Sequence, residues 1–468
     1  MKDAYASRAL AILLKGLYSI TVSCIALFSL PYWLVRDGGG SDGWATRYGR
    51  VPDRIRSATD LYGCIWFHAA SVGEVGVLAR IMPSLMRLTP ELPAVVTTIT
   101  STGRNRARQL LGEQAHLLYL PLDSPILVRR TIRTLHPQTL VIAETELWPN
   151  LISQVSEYGA GIVLVNGRLS RGAFGRYRLV RAAMAPLLSR IDVLCVKSRE
   201  DRERFIALGT PASSVHVTGD LKSEPLPGVE EATVSERRAF LGLPGDRPIF
   251  TAGSTRQGEE TLLLDAYSEV ADTHRNLLMV VAPRYPHRSG EVGDLLHSRG
   301  VKYLRRTRHL EGEEISDKQV LLLDTIGELE GFYAASDVAF VGGSLVPMGG
   351  HNVLEPALYG IPVLFGPHTG ETGSADLLLL EAGGGLRIEG PGDLAASLLR
   401  LFDDEGVRTG MGNAARRAVD RSRGALEQVN EYYGRTLGLA VRVARMDRGS
   451  HSKSVDDIAR EPPEGNGS

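Results

Sequence analysis

The chain predicts an α/β protein in which two consecutive doubly wound domains follow an N-terminal membrane helix. Three observations lead there. Short apolar runs alternate with helical stretches along most of the sequence, the pattern of parallel strands joined by crossover helices. The alternation breaks once, at the Pro- and acid-rich EPLPGVEEATVSE from about Glu224 to Ser235, and then restarts, which reads as an interdomain linker. An uncharged run from Gly16 to Val35 would span about 30 Å as a helix, the hydrocarbon thickness of a bilayer. The expected organisation is an anchor over residues 1–36, a first Rossmann-like domain over 37–228, a second with C-terminal helices over 229–446, and a disordered polar tail over 447–468.

The N-terminal run is flanked by Lys2, Arg8 and Lys15, a basic segment that also suits a signal peptide. No small-x-small cleavage site precedes Arg36, and the apolar stretch exceeds a usual signal core, so a retained anchor is expected. Tyr32 and Trp33 suit the interface. Arg36, Arg47, Arg50, Arg54 and Arg56 follow it and favour a cytoplasmic globular part. The expected strands of the first half are CIWFHAAS, AVVTTIT, HLLYLPL, TLVIAETEL, GIVLVNG, DVLCVKS and SVHVTGDL. Those of the second half are PIFTAGST, LLMVVAPR, VKYLRR, QVLLLDT, VAFVGGS and IPVLFGP, with mostly helical pattern from Asp403 to about Met446.

Composition narrows the classes. The 53 basic and 54 acidic residues nearly cancel, which excludes a nucleic-acid coat and a disordered polyelectrolyte. The 3 cysteines cannot all pair and contain no CxxC, which argues against a disulfide framework or a cysteine zinc site and suggests a reducing compartment. Two doubly wound domains suggest a ligand cleft at the carboxyl ends of both sheets. Dinucleotide oxidoreductases and nucleotide-sugar transferases of the GT-B type look like this. The former need G-x-G-x-x-G after a strand, which neither GAGIVL nor SVGEVG supplies.

Four segments carry candidate chemistry. In WFHAASVGEVG, Glu74 follows a strand and a small-residue turn; such a carboxylate either complements the helix dipole or acts as a general base. In VIAETELWPN, Glu144 and Glu146 share a face if the strand continues, and could bind metal, share a proton or hydrogen-bond a sugar. No Asp-x-Asp occurs in the chain, so a metal-free mechanism is expected. Between Arg168 and Arg190, six arginines run without an acid, either as a solvated helix face or as a contact for lipid phosphates. In the second half, Gly342, Gly343, Gly349 and Gly350 open a loop before a helix expected near Asn352, a setting that suits a phosphate. Glu355 can accept from ribose hydroxyls, and Arg284 of VAPRYPHR can pair with a phosphate.

Taken in order, SVGE, TTITSTG, PLDSP, ETELWPN, GDLKSE, APRYPHR and GGSL…GGHNVLEP resemble the transferases of 3-deoxy-D-manno-octulosonic acid (Kdo) in lipopolysaccharide assembly, over about Trp66 to Gly370. The resemblance implies a GT-B fold and inverting, metal-independent transfer of Kdo from CMP-Kdo to the lipid A precursor (lipid IVA), with CMP-Kdo as substrate and no cofactor. It also implies Glu74 as proton acceptor, Glu144 and Lys222 as transition-state stabilisers, and a CMP site of Pro283, Arg284, Ile326, Gly327, Glu328, Asn352, Val353, Leu354 and Glu355. The expected partners are CMP-Kdo, the lipid A precursor and inner-membrane lipids, without nucleic acid; the expected place is the inner membrane, with both domains on the cytoplasmic side of a single-pass anchor. Deleting the anchor is expected to leave chemistry on dispersed acceptor largely intact. The alternatives are a GT-B transferase using a UDP-sugar and a non-catalytic membrane-anchored lipid-binding protein.

Overall fold

The computed structural model describes residues 2–36, 43–225, 232–370, 375–421 and 424–436. The expected disordered tail and the last residues of the expected C-terminal helical stretch lie outside the described residues, as does the middle of the expected linker. The chain divides into two compact units, one from the N-terminus to Gly219 with the segment from Gly424, the other from Asp220 to Arg423.

In the first unit β1 (Cys64–His68), β2 (Ala94–Thr98), β3 (His116–Tyr119), β4 (Pro137–Ala143), β5 (Gly161–Gly167), β6 (Val193–Val196) and β7 (Val215–Val217) form a seven-stranded parallel sheet in the order β3-β2-β1-β4-β5-β6-β7. Helices cover both faces, so β1 is buried at every position. Trp66 fills the core and donates its indole N–H to Thr97 Oγ1 at 2.9 Å. All seven apolar runs of the first half are strands. The strand order reverses between β1 and β4, which places the loops after these two strands side by side at the carboxyl edge.

The second unit repeats the plan with β8 (Ile249–Thr255), β9 (Leu278–Pro283), β10 (Tyr303–Arg305), β11 (Val320–Leu322), β12 (Val338–Val341), β13 (Val363–Phe365) and β14 (Gly385–Arg387). Their order is β10-β11-β9-β8-β12-β13-β14. Here the reversal falls between β8 and β12. The sheet is GT-B-like in each half, as expected. The expected runs omit β14, because its three residues, GLR, carry one apolar side chain and give no periodic signal. Close approach sets the glycines near the switch point: a Cβ on Gly342 would lie 2.7 Å from the Ser254 carbonyl oxygen, and one on Gly253 would lie 2.0 Å from the Tyr333 hydroxyl.

The chain passes between the units at 219/220 and 423/424, where the expected boundaries were 228/229 and 446/447. The chain enters the second unit at Asp220, directly after β7, so Lys222 belongs to that unit. It returns at Gly424 because the helix over 425–436 packs on first-unit elements. Ser84 donates to Asn430 Oδ1 at 2.8 Å, Tyr433 is fully buried, and Tyr432 stacks on His216 at 3.8 Å.

The N-terminal helix Lys2–Arg36 contains a stretch, Ala9–Tyr32, long and apolar enough to cross a membrane. It does not stand apart from the first unit. Positions 11, 14, 15, 18, 19, 22, 23, 26, 29 and 30 are the partly or fully covered ones, a stripe at helical spacing. Four residues of that stripe hydrogen-bond the first unit: Tyr18 donates to Asp123, Ser19 to Asn150, and the hydroxyls of Ser23 and Ser29 bond those of Ser124 and Tyr48. The uncovered positions include Leu13, Leu17, Ile20, Leu27 and Phe28. The covered stripe therefore mixes these hydrogen-bonding side chains with Ala11, Leu14, Val22, Ala26 and Leu30, while the uncovered face is mainly large and apolar.

Candidate active site

In the first unit the site is built on the β1/β4 switch point. After β1 the chain turns through Ala69–Ser71 into helix Val72–Leu88, and Glu74 stands at its third position. Ala70 N–H donates to Glu74 Oε2 at 2.6 Å and the Ser71 hydroxyl to Oε1 at 2.8 Å, so the carboxylate reaches back over the helix start. This geometry satisfies an orphan N–H, as a capping box does. It also holds the carboxylate in one rotamer at the strand's carboxyl end. Glu74 is buried, and burial is the main cause that pushes its carboxyl up to about 7. The Ala70 and Ser71 bonds pull it down, while the charges of Glu146 and Glu144 push it further up. A carboxylate titrating near neutrality is suited to proton transfer in a way that a dipole-complementing surface glutamate is not.

Glu144 and Glu146 meet this site by a different route from the expected one. The strand does not continue: β4 ends at Ala143, and Glu144 adopts a left-handed conformation with φ 57°, donating its N–H to Val165 O at 2.8 Å. A non-glycine residue in that region is strained and persists only where its surroundings hold it. The turn brings both glutamates within electrostatic reach of Glu74. Glu146 accepts from the Trp148 indole at 3.1 Å, and burial is the main cause that raises its carboxyl. Among the described residues, no group of three or more His, Cys, Asp or Glu side chains is placed to hold a metal ion.

In the second unit the expected nucleotide residues gather at the carboxyl edge, with three differences in detail. First, the helix expected near Asn352 is a single turn, Leu354–Ala357, with Asn352 Oδ1 accepting the Leu354 N–H at 3.2 Å; one turn provides little dipole. Second, the Gly342–Gly343 part of the loop already holds an anion, the carboxylate of Glu259. It accepts N–H bonds from Arg256 and Gly343 at 2.8 and 2.7 Å, and from Ser344 and Leu345 at 2.9 and 2.8 Å. Those amides form a nest around an internal carboxylate and are not free for a phosphate. Third, Glu328 is tied to the buried Arg306, which donates from Nε and Nη2 at 3.1 and 2.9 Å. Thr325 bonds its other oxygen. Its neighbours Ile326 and Gly327 shape the turn, Gly327 with φ 91° and Ile326 exposed.

The cationic groups are more numerous than the sequence indicated. Pro283 closes β9 in the core, and exposed Arg284 follows, its N–H bonded to Thr255 O at 3.0 Å. Arg256, directly after β8, donates to His351 Nε2 at 3.3 Å, and its guanidinium lies 4.8 Å from the centroid of the Tyr285 ring. Burial, with the charges of Arg284 and Arg256, pushes His351 down to about 4 and keeps it neutral at physiological pH. Arg256, Tyr285 and His351 were not expected as a group; they lie far apart in sequence and meet only through the β8/β9/β12 arrangement. Val353 and Leu354 are buried under the turn. Burial raises the Tyr333 phenol and the nearby charge of Glu355 adds to it, and the turn Leu221–Ser223, which bears Lys222, packs against the helix Leu354–Ala357.

Of the arginines from Arg168 to Arg190, Arg190 is structural, donating to Ser153 O at 3.1 Å and Glu157 at 3.2 Å. Arg168, Arg171, Arg176 and Arg178 are exposed, and helix Arg181–Leu188 packs on the N-terminal helix.

Two seven-stranded parallel sheets with chemical groups at both switch points define a GT-B-like enzyme. A solved UDP-GlcNAc 2-epimerase from Neisseria meningitidis, bound to UDP-GlcNAc, shares the fold with a TM-score of 0.53 and 13% identity, over 80% of this chain and 99% of that one. The family model described as 3-Deoxy-D-manno-octulosonic-acid transferase (kdotransferase) matches residues 42–224. A 3-deoxy-D-manno-octulosonic acid transferase of Haemophilus influenzae is 35% identical over 367 residues, 78% of this chain and 85% of its own length. One of Bordetella pertussis is 32% identical over 415 residues, 86% of this chain and 94% of its own length. The chain belongs to the Kdo transferase family and is a glycosyltransferase.

Proposed function

We propose that the enzyme transfers Kdo from CMP-Kdo to a hydroxyl of the lipid A precursor, lipid IVA, with inversion and without a metal. The observation that carries this reading is Glu74: a buried, doubly hydrogen-bonded carboxylate at a sheet switch point, raised to about 7. A sugar hydroxyl is a poor nucleophile and needs its proton removed as it attacks. Glu74 takes that proton while the oxygen forms its bond to the anomeric carbon of Kdo. The bond from that carbon to the CMP phosphate oxygen breaks on the opposite face, and CMP leaves as a phosphate monoester. Lys222 and Glu144 are proposed to stabilise the transition state. The negative charge of Glu144 also raises the proton affinity of Glu74.

The second unit is proposed to bind CMP through Pro283, Arg284, Ile326, Gly327, Glu328, Asn352, Val353, Leu354 and Glu355. Glu259 already fills the Gly343–Leu345 amides, so the phosphate charge falls to cationic side chains, with Arg284 the first candidate. The N-terminal helix is proposed to hold the enzyme at the inner membrane, with both units on the cytoplasmic side, where nucleotide sugars are made. With its covered stripe docked from Lys15 to Ser29, the helix meets lipid through its exposed face; an end-to-end crossing requires those contacts to open.

The test is ligand-induced stabilisation of the full-length protein in detergent. CMP is expected to raise Tm and UDP to leave it unchanged. A rise with UDP alone would assign the site to a UDP-sugar enzyme instead.

A further inference from the structure

The N-terminal helix and the loop of Glu144 and Glu146 share one buried carboxylate. Asp123, in the PLDSP segment, is 3% exposed. Its Oδ2 accepts the Asn150 N–H at 3.0 Å and its Oδ1 the Leu151 N–H at 2.7 Å, both in the first turn of helix Pro149–Tyr158. The same Oδ2 accepts the Tyr18 hydroxyl at 2.9 Å. Asn150 closes the ring: its Nδ2 donates to Asp123 O at 2.6 Å, and its Oδ1 accepts from Ser19 at 2.8 Å. Asn150 is itself 2% exposed.

Glu144 to Trp148 form the whole connection between β4 and that helix. One end of the connection is fixed by the sheet, through Glu144 N–H to Val165 O. The other end is fixed by Asp123. The strained turn with φ 57° at Glu144 is held on the sheet side by the Val165 bond and by the Thr145 hydroxyl, which bonds Arg168 O and N–H, and on the helix side by Asp123. Resting on the proposed role of the glutamates, we infer that Asp123 is a positioning residue for the catalytic loop Glu144–Trp148, and that the N-terminal helix sets it through Tyr18. Membrane attachment and catalytic geometry are thereby joined at Asp123, with the Ser19–Asn150 bond a second link between the same helices. Burial pushes Asp123 up to about 6 against the Asn150, Tyr18 and Leu151 hydrogen bonds and the charge of Lys15, so the Tyr18 bond supports its ionised form near neutral pH. Deletion of the helix is then expected to impair chemistry even on dispersed acceptor, contrary to the expectation from sequence.

The experiment uses full-length enzyme in lipid nanodiscs, with Tyr18→Phe, Asp123→Asn, the double variant, and Ser23→Ala as a seam control. Ser23 bonds the Ser124 hydroxyl and the Ser19 carbonyl oxygen, and neither bond involves Asp123 or Asn150. Expected are nanodisc retention and CMP affinity equal to the parent in all four. For Tyr18→Phe, kcat should fall about three- to tenfold, with KM for CMP-Kdo unchanged; Asp123→Asn should cost more, and Ser23→Ala nothing. Tyr18→Phe should add nothing in the Asp123→Asn background, because both act through one group. Parental kcat in Tyr18→Phe, additive losses in the double variant, or losses that track Tm alone would overturn the proposal. If Asp123→Asn fails to fold, Tyr18→Phe against Ser23→Ala still decides. A parent enzyme that transfers no Kdo would instead overturn the proposed function.

Discussion

The two sheets share a strand order, yet their switch points carry opposite chemistry. At β1/β4 burial raises the proton affinity of Glu74, and the charges of Glu146 and Glu144 add to it. At β8/β12 the central carboxylate, Glu259, is turned inward and consumed by four backbone amides, leaving Arg256 and Arg284 as the charged groups around Tyr285. The same topology thus presents a cluster of carboxylates in one unit and cationic side chains in the other. The difference lies in how many bonds the buried acid accepts, two at Glu74 against four at Glu259. An underbonded buried carboxylate is reactive and costs stability; a saturated one is inert and holds a loop.

The largest expected effect is at Glu74. Glu74→Gln keeps the size but cannot accept the proton, and kcat in a lipid-acceptor assay should fall about 10²–10⁴-fold with CMP affinity unchanged. The sign of its effect on stability is opposite. A carboxylate raised from 4.5 to about 7 favours the fold when protonated, and that contribution is lost as pH rises through about 7. Glu74→Gln should therefore have a higher Tm than the parent at pH 8, and no such advantage at pH 4; calorimetry at both values checks it. Glu259→Ala should do the reverse. It leaves amides of the Gly343–Leu345 loop without their acceptor, and denaturant melts should show roughly 3–5 kcal/mol lost.

Smaller effects sharpen the contrast. Arg284→Ala and Glu355→Ala should each weaken CMP by about 1.5–3 kcal/mol in calorimetric titration, through loss of a charge-assisted hydrogen bond. The same substitution at Glu146 should leave CMP affinity alone. The smallest effect is a displacement. Removing the charge of Glu146 with Glu146→Gln lowers the proton affinity of Glu74, so the acid limb of the kcat/KM profile should move to lower pH. A limb that stays in place would separate that titration from Glu74.

Much of this architecture is legible in the order of residues alone. Apolar runs of parallel strands announce themselves because both faces are buried, and the motif order points to the family. What escapes has physical reasons. Glu259 and Glu260 stand after Gly258 like any acidic first helical turn; nothing local shows that one binds four amides and the other the partly buried Arg288. The one-turn helix at Leu354 is too short for periodicity. Glu144 and Glu146 were expected on one strand face, but the left-handed Glu144 ends the strand first. The N-terminal helix had a readable signal: Lys15, Tyr18, Ser19, Ser23 and Ser29 repeat at helical spacing within an apolar run, which points to a docked face.

The account rests on Kdo transfer from a CMP donor, and mass spectrometry of the lipid product tests that most directly. Purified full-length protein, incubated with lipid A precursor and CMP-Kdo in the presence of chelator, should yield precursor carrying Kdo, and UDP-sugars should yield none. Unchanged precursor with CMP-Kdo, or a new glycolipid with a UDP-sugar, would contradict it.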